Sequence, residues 1–397
     1  LATSPDRTEK VEPGVPRNLH VLTLTPFYPS RGDDISGCFI AEPLREVEAL
    51  GAASSVIAVN SIYHSCRESS CRFPAEWVRS PQLPGNFGLS SAGNGLAGVL
   101  SHRVSHLHRR WQVDVIHAHA ALPCGHAASI LSKKLGIPYV VTVHGLDVFN
   151  SCFQTGIAAR WRRESSRRVY RGAAAVICIS KKVRQMLIEE ESTAPRTEVV
   201  YNGTSTEMFL PDITSAEPST ILVVGNLLAG KGQELVLRAF ARIGKLHPAL
   251  RCTLIGEGAD RDRLIALTKD LGISDRVEFL GRRSREEVAA AMRNCTIFIL
   301  PSRYEGLGCV YLEAMASAKP VIACHGQGID EIIHHGRNGW LIPVDGLEPL
   351  VEGMQTLLSN AALRASIGNA ARQTILDGLT MKHQARKLMS IYQNVAR

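Results

Sequence analysis

In the stretch "EGLGCVYLEAMASAKPVIA", Glu305 and Glu313 bracket a Gly-x-Gly turn made by Gly306, Leu307 and Gly308. The apolar run "CTIFILPS" before it reads as a strand, and "CVYLEAMASA" after it reads as a helix. Glycine lets such a turn close tightly with no Cβ in the way. A helix that starts near Cys309 leaves free backbone N–H groups in its first turn, and these groups with the helix dipole favour an anion such as a diphosphate. Glu313 falls about one turn into that helix, and helical side chains lean back toward the N-terminus. Its carboxylate would therefore meet the hydroxyls of a ribose beside the diphosphate. Glu305, in the loop on the other side, would accept from the hydroxyls of a sugar. A solvated Glu305 and a helix-stabilising Glu313 are the bland alternative. The strand, glycine turn and helix around the pair favour a nucleotide-sugar, read as ribose, diphosphate and hexose.

Three further clusters carry chemistry. "GNLLAGKG", residues 225–232, nearly spells the phosphate loop of ATPases, but Gly232 stands where the Mg²⁺-binding hydroxyl belongs and no acidic partner strand follows in context. Lys231 keeps its sense as a cation for phosphate. His117 and His119 form a His-x-His in a strand and share one face. Together with His126 and His144 they raise the question of a metal, yet no carboxylate or Cys is spaced to complete a site, and none is expected. "RWRRESSRRVYR", residues 160–171, holds six arginines. On a helix Arg160, Arg163, Arg167 and Arg171 align, beside Trp161 and Tyr170. This is either a solvated face or a dock for anionic lipid headgroups or an anionic acceptor. Nucleic acid is not expected, because no recognition module accompanies the charge.

These groups need a scaffold, and the chain is long enough to build one. Its 397 residues correspond to roughly two or three domains. At 45% hydrophobic and 21% charged it reads as globular with a large core. No apolar run approaches the roughly 18–20 residues of a membrane span. The net charge of +8 points to an anionic partner. The ten cysteines are scattered without a Cys-x-x-Cys, so neither a metal nor a disulfide framework is indicated and a reducing cytosol is the simplest home. Residues 1–17 are polar and Pro-containing, lack the apolar core of a signal peptide, and read as a disordered tail.

From about residue 18, strand-like runs ("LHVLTLTPF", "SSVIAV", "VDVIHAH", "PYVVTVHG", "AAAVICIS") alternate with helical ones, including one expected from about 124 to 135. This rhythm implies a mostly parallel, buried sheet. Residues 60–95, rich in Ser, Pro and Gly, break it and read as a functional loop or mobile segment. A second series begins with "TILVVG" and runs through "LRCTLIG", "DRVEFLG" and "CTIFILPS", with the junction near 205–218. The fold class is α/β, with two doubly wound Rossmann-like halves facing a cleft at their strand C-termini, where open α/β sheets bind ligands.

The central segment resembles the Glu-x7-Glu signature of the retaining GT-B glycosyltransferases, family 4 in particular. "HGQGIDEIIHHGRNGWLI", "GNLLAGKGQELVLRAFA", "VTVHGLDVF" and "VVYNGTSTEMF" resemble other segments of that family, over roughly residues 18–390. The resemblance implies an N-terminal acceptor-binding domain, 18–205, completed by a C-terminal helix at about 380–397, and a nucleotide-sugar-binding domain, 206–379. It implies that Glu305 contacts the donor sugar and Glu313 the ribose. The backbone of Gly306, Leu307, Gly308 and Cys309 would hold sugar and phosphate, and Lys231 would neutralise the diphosphate. His144 would touch the sugar from the first domain, and the loop around Gly37 would approach phosphate or acceptor. Two positions depart from the pattern: Asn226 stands where the family usually has Arg, and Gln327 where it has the first Gly of a pair.

The implied activity is transfer of a hexosyl group, with retention, from a UDP-sugar or GDP-mannose to the hydroxyl of a carbohydrate or lipid-linked acceptor. The implied process is polysaccharide or glycolipid biosynthesis, without a metal. The implied place is the cytoplasm, peripheral on the inner face of the plasma membrane. A nucleotide-sugar epimerase on the same architecture, or a carbohydrate-binding protein with a decayed donor site, are the alternatives.

Overall fold

The computed structural model describes residues 18–33, 35–63, 67–145, 156–190, 196–211 and 219–396. The segment read as a disordered tail, 1–17, lies outside the described residues, as does 212–218 of the expected junction. Two parallel sheets form the frame. The first has seven strands, β1 (His20–Thr25), β2 (Ala53–Ser61), β3 (Glu76–Ser80), β4 (Val115–His119), β5 (Tyr139–Val143), β6 (Ala175–Cys178) and β7 (Thr197–Val199), in the order β3-β2-β1-β4-β5-β6-β7. The second has six, β8 (Thr220–Val224), β9 (Arg251–Ile255), β10 (Val277–Gly281), β11 (Ile297–Ile299), β12 (Val321–Cys324) and β13 (Trp340–Ile342), in the order β10-β9-β8-β11-β12-β13.

Every residue of β1, β4 and β5 is buried. Such strands, covered on both faces, are why they read as continuous apolar runs. In each sheet the winding reverses beside the first strand, between β1 and β4 and between β8 and β11. A crevice opens at those points, at the carboxyl ends of the strands.

The last helix, Met381–Val395, returns to the first sheet. Ala385, Leu388, Ile391 and Tyr392 pack with Val21, Val115, Val140 and Ile177. The chain thus crosses between the sheets twice, and the crossings are pressed together. The Thr204 N–H donates to the Leu379 carbonyl at 3.0 Å, and a Cβ on Gly203 would sit 2.5 Å from the Thr380 carbonyl oxygen.

Two expectations need correction. Residues 60–95 are not one long loop. They contain the edge strand β3 and the start of the helix Gly88–Trp111. The strand is five residues long and at the sheet edge, too short for its alternation to stand out among Ser and Pro. The aligned arginines lie on the helix Ile157–Gly172, but they are not a uniform solvent face. Arg160 and Arg171 are exposed, whereas Arg163 and Arg167 are half-buried. Ala159, Ser165, Val169 and Tyr170 anchor this helix in the fold.

Candidate active site

The second domain presents two backbone turns side by side. After β11, Gly308 adopts φ 79° and starts the helix Cys309–Ala316; a Cβ there would meet the Tyr311 ring at 2.5 Å. Tyr311 is held in turn by donating its OH to the Leu300 carbonyl at 2.7 Å. After β8, residues Ala229–Lys231 form a single 3₁₀ turn that ends at Gly232, φ 76°. A Cβ on Gly232 would lie 2.3 Å from the Pro301 carbonyl oxygen. A Ser or Thr there would be strained and would collide with backbone, so this turn is not built as an ATPase phosphate loop. The Arg303 N–H, donating to the Gly230 carbonyl at 2.8 Å, ties the two turns together.

That juxtaposition joins Lys231 to Glu305. Lys231 Nζ lies 2.5 Å from Glu305 Oε1, with the two side chains 25% and 12% exposed. Ser302 Oγ donates to the same oxygen at 3.1 Å. Gln327, which departs from the family pattern, supports Glu305 directly, since its Oε1 accepts from the Glu305 N–H at 3.1 Å. A charge pair this screened from water is stronger than a surface pair, and removing either member strands the other. The side-chain amide of Asn226 adds no cation here; its backbone carbonyl accepts from Gln233 Nε2 at 2.9 Å.

Glu313, on the first helical turns after Gly308, is 4% exposed. Its Oε1 accepts from Arg285 Nη1. Arg285, at the start of the helix Arg285–Arg293, also donates to Glu42 of the first domain, from Nη2 at 3.0 Å and from Nε at 3.3 Å. Burial holds the Glu42 carboxyl above its ordinary value, and the Arg285 charge opposes that. Cys38, next to Gly37, feels the charges of Arg285, Glu42 and Glu313, while burial pushes its thiol up to about 12. Gly37 itself, φ 80°, packs so close to Phe27 that a Cβ would meet its carbonyl carbon at 2.4 Å. Cys309 Sγ accepts from Asn202 Nδ2 at 3.3 Å.

From the first domain comes His144, and behind it lie two buried histidines, His119 and His117. His144 Nε2 and His119 Nδ1 are 3.1 Å apart, with the rings stacked at 19°. The rings of His119 and His117 lie 4.3 Å apart. His117 bonds Tyr392 OH and Thr142 Oγ1, each at 2.7 Å. Burial pushes His117 down to about 3, with help from His144, and His144 down to about 4. These rings are neutral at pH 7. Among the described residues no group of three His, Cys, Asp or Glu side chains is arranged to hold a metal.

The walls touch. A Cβ on Gly306 would be 2.8 Å from the His144 carbonyl oxygen, and one on Gly145 would be 2.7 Å from Tyr304 OH. Ser180 Oγ donates to the Gly306 carbonyl at 2.6 Å. Glu331 reaches across to accept from the N–H groups of Lys181 and Lys182, at 2.8 and 2.5 Å, and from Tyr201 OH at 2.8 Å. It thereby caps the helix Lys181–Glu190 of the other domain. The structure thus brings Lys231, Glu305, Gly306, Gly308 and His144 to one place, with Cys309 next to them, and sets Glu313 beside them in a separate ion-paired cluster. Sequence reasoning missed Arg285, Glu42 and Glu331 as parts of that arrangement, and had grouped His119 with His144 only as a question of metal binding.

Comparison with known proteins agrees with the geometry. The family described as Glycosyltransferase Family 4 matches residues 40–208, and Glycosyl transferases group 1 matches residues 211–374. An uncharacterized glycosyltransferase of Methanocaldococcus jannaschii is 31% identical over 261 residues, 66% of this chain and 70% of that one. The N-acetyl-alpha-D-glucosaminyl L-malate synthase of Bacillus anthracis is 28% identical, over 75% of this chain and 79% of its own. Among solved structures, sucrose-phosphate synthase from Thermosynechococcus elongatus aligns with a TM-score of 0.79 at 21% identity, covering 94% of this chain and 98% of that one. HepE of Anabaena, solved with UDP and glucose, aligns at 0.75 and 19%, covering 95% and 100%. The fold is GT-B, and the chain belongs to glycosyltransferase family 4. It is a glycosyltransferase that uses nucleotide sugars, in a family of retaining hexosyltransferases.

Proposed function

We propose that this enzyme moves a hexosyl group from a UDP-sugar or GDP-mannose to an acceptor hydroxyl, in the making of a polysaccharide or glycolipid. The observation that carries this reading is the Lys231–Glu305 pair at the Gly306–Gly308 turn, closed over by His144 and Gly145. Lys231 and the first-turn N–H groups at Cys309 neutralise the diphosphate as the glycosidic bond breaks, where fixed donors act most strongly. Glu305 accepts from donor-sugar hydroxyls, and Glu313 from the ribose. The backbone of Gly306, Leu307 and Gly308 lines sugar and phosphate. A neutral His144 contacts the sugar from the first domain, and the loops at Gly37 and Asn226 border the phosphates. Attack and departure on one face, with the leaving phosphate oxygen taking the acceptor proton, require no protein nucleophile. The solved HepE complex with UDP-glucose supports a UDP-sugar as the first donor to try.

No helix among the described residues is long and apolar enough to cross a membrane. The reading assigns acceptor access to a surface contact on the inner face of the plasma membrane. Its support is a mixed patch in which exposed Arg160 and Arg171 share a helix with Ile157, 79% exposed, and Trp161, which packs 6.3 Å from exposed Phe87. Apolar groups beside arginines suit an anionic interface.

Incubation of the purified enzyme with UDP-glucose, UDP-N-acetylglucosamine and GDP-mannose tests the donor reading. Slow hydrolysis of one of them, with the α-anomer released first, is the expected result. Neither hydrolysis nor binding with the whole panel overturns it. Cosedimentation with anionic vesicles that fades as salt rises tests the surface contact, and no binding at low salt overturns that.

A further inference from the structure

Arg285 is held from three directions. Its Nη1 donates to Glu313 and its Nη2 and Nε to the two oxygens of Glu42, and its guanidinium carbon lies 5.0 Å from the centre of the Phe209 ring. Glu42 belongs to the helix Cys38–Ala49 of the first domain, Phe209 to the crossing segment, and Glu313 to the helix that follows the Gly-x-Gly turn. All four side chains are buried or nearly so, with Arg285 at 8%, Glu42 at 12% and Glu313 at 5% exposed. One guanidinium between two carboxylates leaves a net charge of −1 in a dry place. The planar fork of Arg serves both carboxylates at once, which a Lys ammonium on a single stem does poorly.

Given the reading of Glu313 as the ribose acceptor, we propose that Arg285 is the positioning residue for that carboxylate. Through Glu42 it makes nucleotide affinity depend on closure of the two domains. Arg285 engages Oε1 of Glu313. Fixing one oxygen aims the other. The surplus negative charge favours a further hydrogen-bond donor, which a ribose hydroxyl supplies. When the domains part, Glu42 leaves, Arg285 regains water, and the Glu313 carboxylate loses its fixed direction. Closure and nucleotide binding then favour each other by the same factor, because coupling between two equilibria is reciprocal. Arg282, which donates to Asp33 and Ser36 of the first domain at 2.7 and 2.8 Å, closes the same seam without touching Glu313.

The test is calorimetric titration of UDP and GDP into wild type, Glu42→Gln, Glu42→Asp and Arg285→Lys, with small-angle scattering of each protein with and without nucleotide. Glu42 belongs to the opposite domain and reaches Glu313 through Arg285, so Glu42→Gln is expected to weaken nucleotide binding by about tenfold while enlarging the radius of gyration of the nucleotide-free protein. Its donor KM should rise with kcat little changed, a split that a packing defect would not give. Glu42→Asp keeps the charge on a shorter stem, and should fall between. Equal nucleotide affinity in wild type and both Glu42 variants overturns the coupling and leaves the donor site standing. A wild type that binds neither nucleotide, nor any other nucleoside diphosphate, overturns the donor reading and this inference with it.

Discussion

The two walls of the cleft solve different problems with different groups. The second-domain wall is ionic: Lys231 with Glu305 and Arg285 with Glu313, joined to helix N-termini. The first-domain wall is a stack of neutral histidines, His144, His119 and His117, ending on Tyr392 of the last helix. A diphosphate brings charge and needs fixed cations and N–H groups; a sugar brings hydroxyls and is served by neutral donors and acceptors. One wall is therefore expected to suffer most from a loss of charge, and the other from a gain of it. The ion pairs also explain how the ionic wall survives without nucleotide, since Lys231 and Glu305 hold each other and Arg285 holds its two carboxylates.

The largest effect separating the walls is expected at Lys231. Lys231→Ala removes the cation paired with Glu305 at the Gly-x-Gly turn, with Asn226 supplying none, and should cut transfer by about a hundredfold or more. Glu305→Gln should cut it by at least about tenfold, because a charged acceptor of sugar hydroxyls becomes a neutral one. The double variant should lose much less than the product of the two, since the residues act on one another at 2.5 Å. Steady-state kinetics of the four proteins checks all three statements, and simple additivity would separate the pair into unrelated sites.

The neutral wall makes a prediction about pH. His117 and His144 take up protons near 6.5 when unfolded but only at about 3 and about 4 when folded. The unfolded chain thus binds more protons in between, so stability is full above about 6.5 and is lost as pH falls through that window. The slope is at most about 1.4 kcal/mol per pH unit for a fully buried histidine. Glu42 works in the opposite direction, since a carboxyl held above its ordinary value favours the folded state as pH falls. Thermal unfolding at pH 6.5 and pH 5 should show a drop, smaller in His117→Asn. A flat profile would mean that the histidine wall is wet.

Asn226→Arg should have the smallest effect, a few-fold gain in nucleoside diphosphate affinity at low salt, because it adds a cation to a wall that already has Lys231. Calorimetry checks it, and weaker binding would show that the loop at Asn226 faces away from the phosphates.

How much of this was legible in the sequence differs between the walls as well. The alternation of buried strands and helices, the Gly-x-Gly turn and the Lys231 loop are local patterns, and each is visible within a short run of chain. Gly232 illustrates the limit: it looked like a failed phosphate loop, and its reason is the Pro301 carbonyl, remote from it in sequence. Arg285 sits in "RRSREEV", where nothing local distinguishes it from its neighbours; its partners Glu42 and Glu313 come from two other helices. Glu331 likewise gains its meaning from a helix end in the other domain. The short edge strand β3 was lost among turn-forming residues. The arginine run was legible as a charged helix, but not which of its arginines the fold would cover.

Binding of the nucleoside diphosphate by the ionic wall is what the rest depends on. Calorimetric titration of UDP and GDP into wild type and Lys231→Ala, at low and high salt, puts it to the test. The expected result is micromolar-range binding of one nucleotide by wild type, weakened by salt and reduced by at least about thirtyfold in Lys231→Ala, as the loss of a charge-assisted contact to phosphate requires. Equal affinity in the two proteins would contradict it.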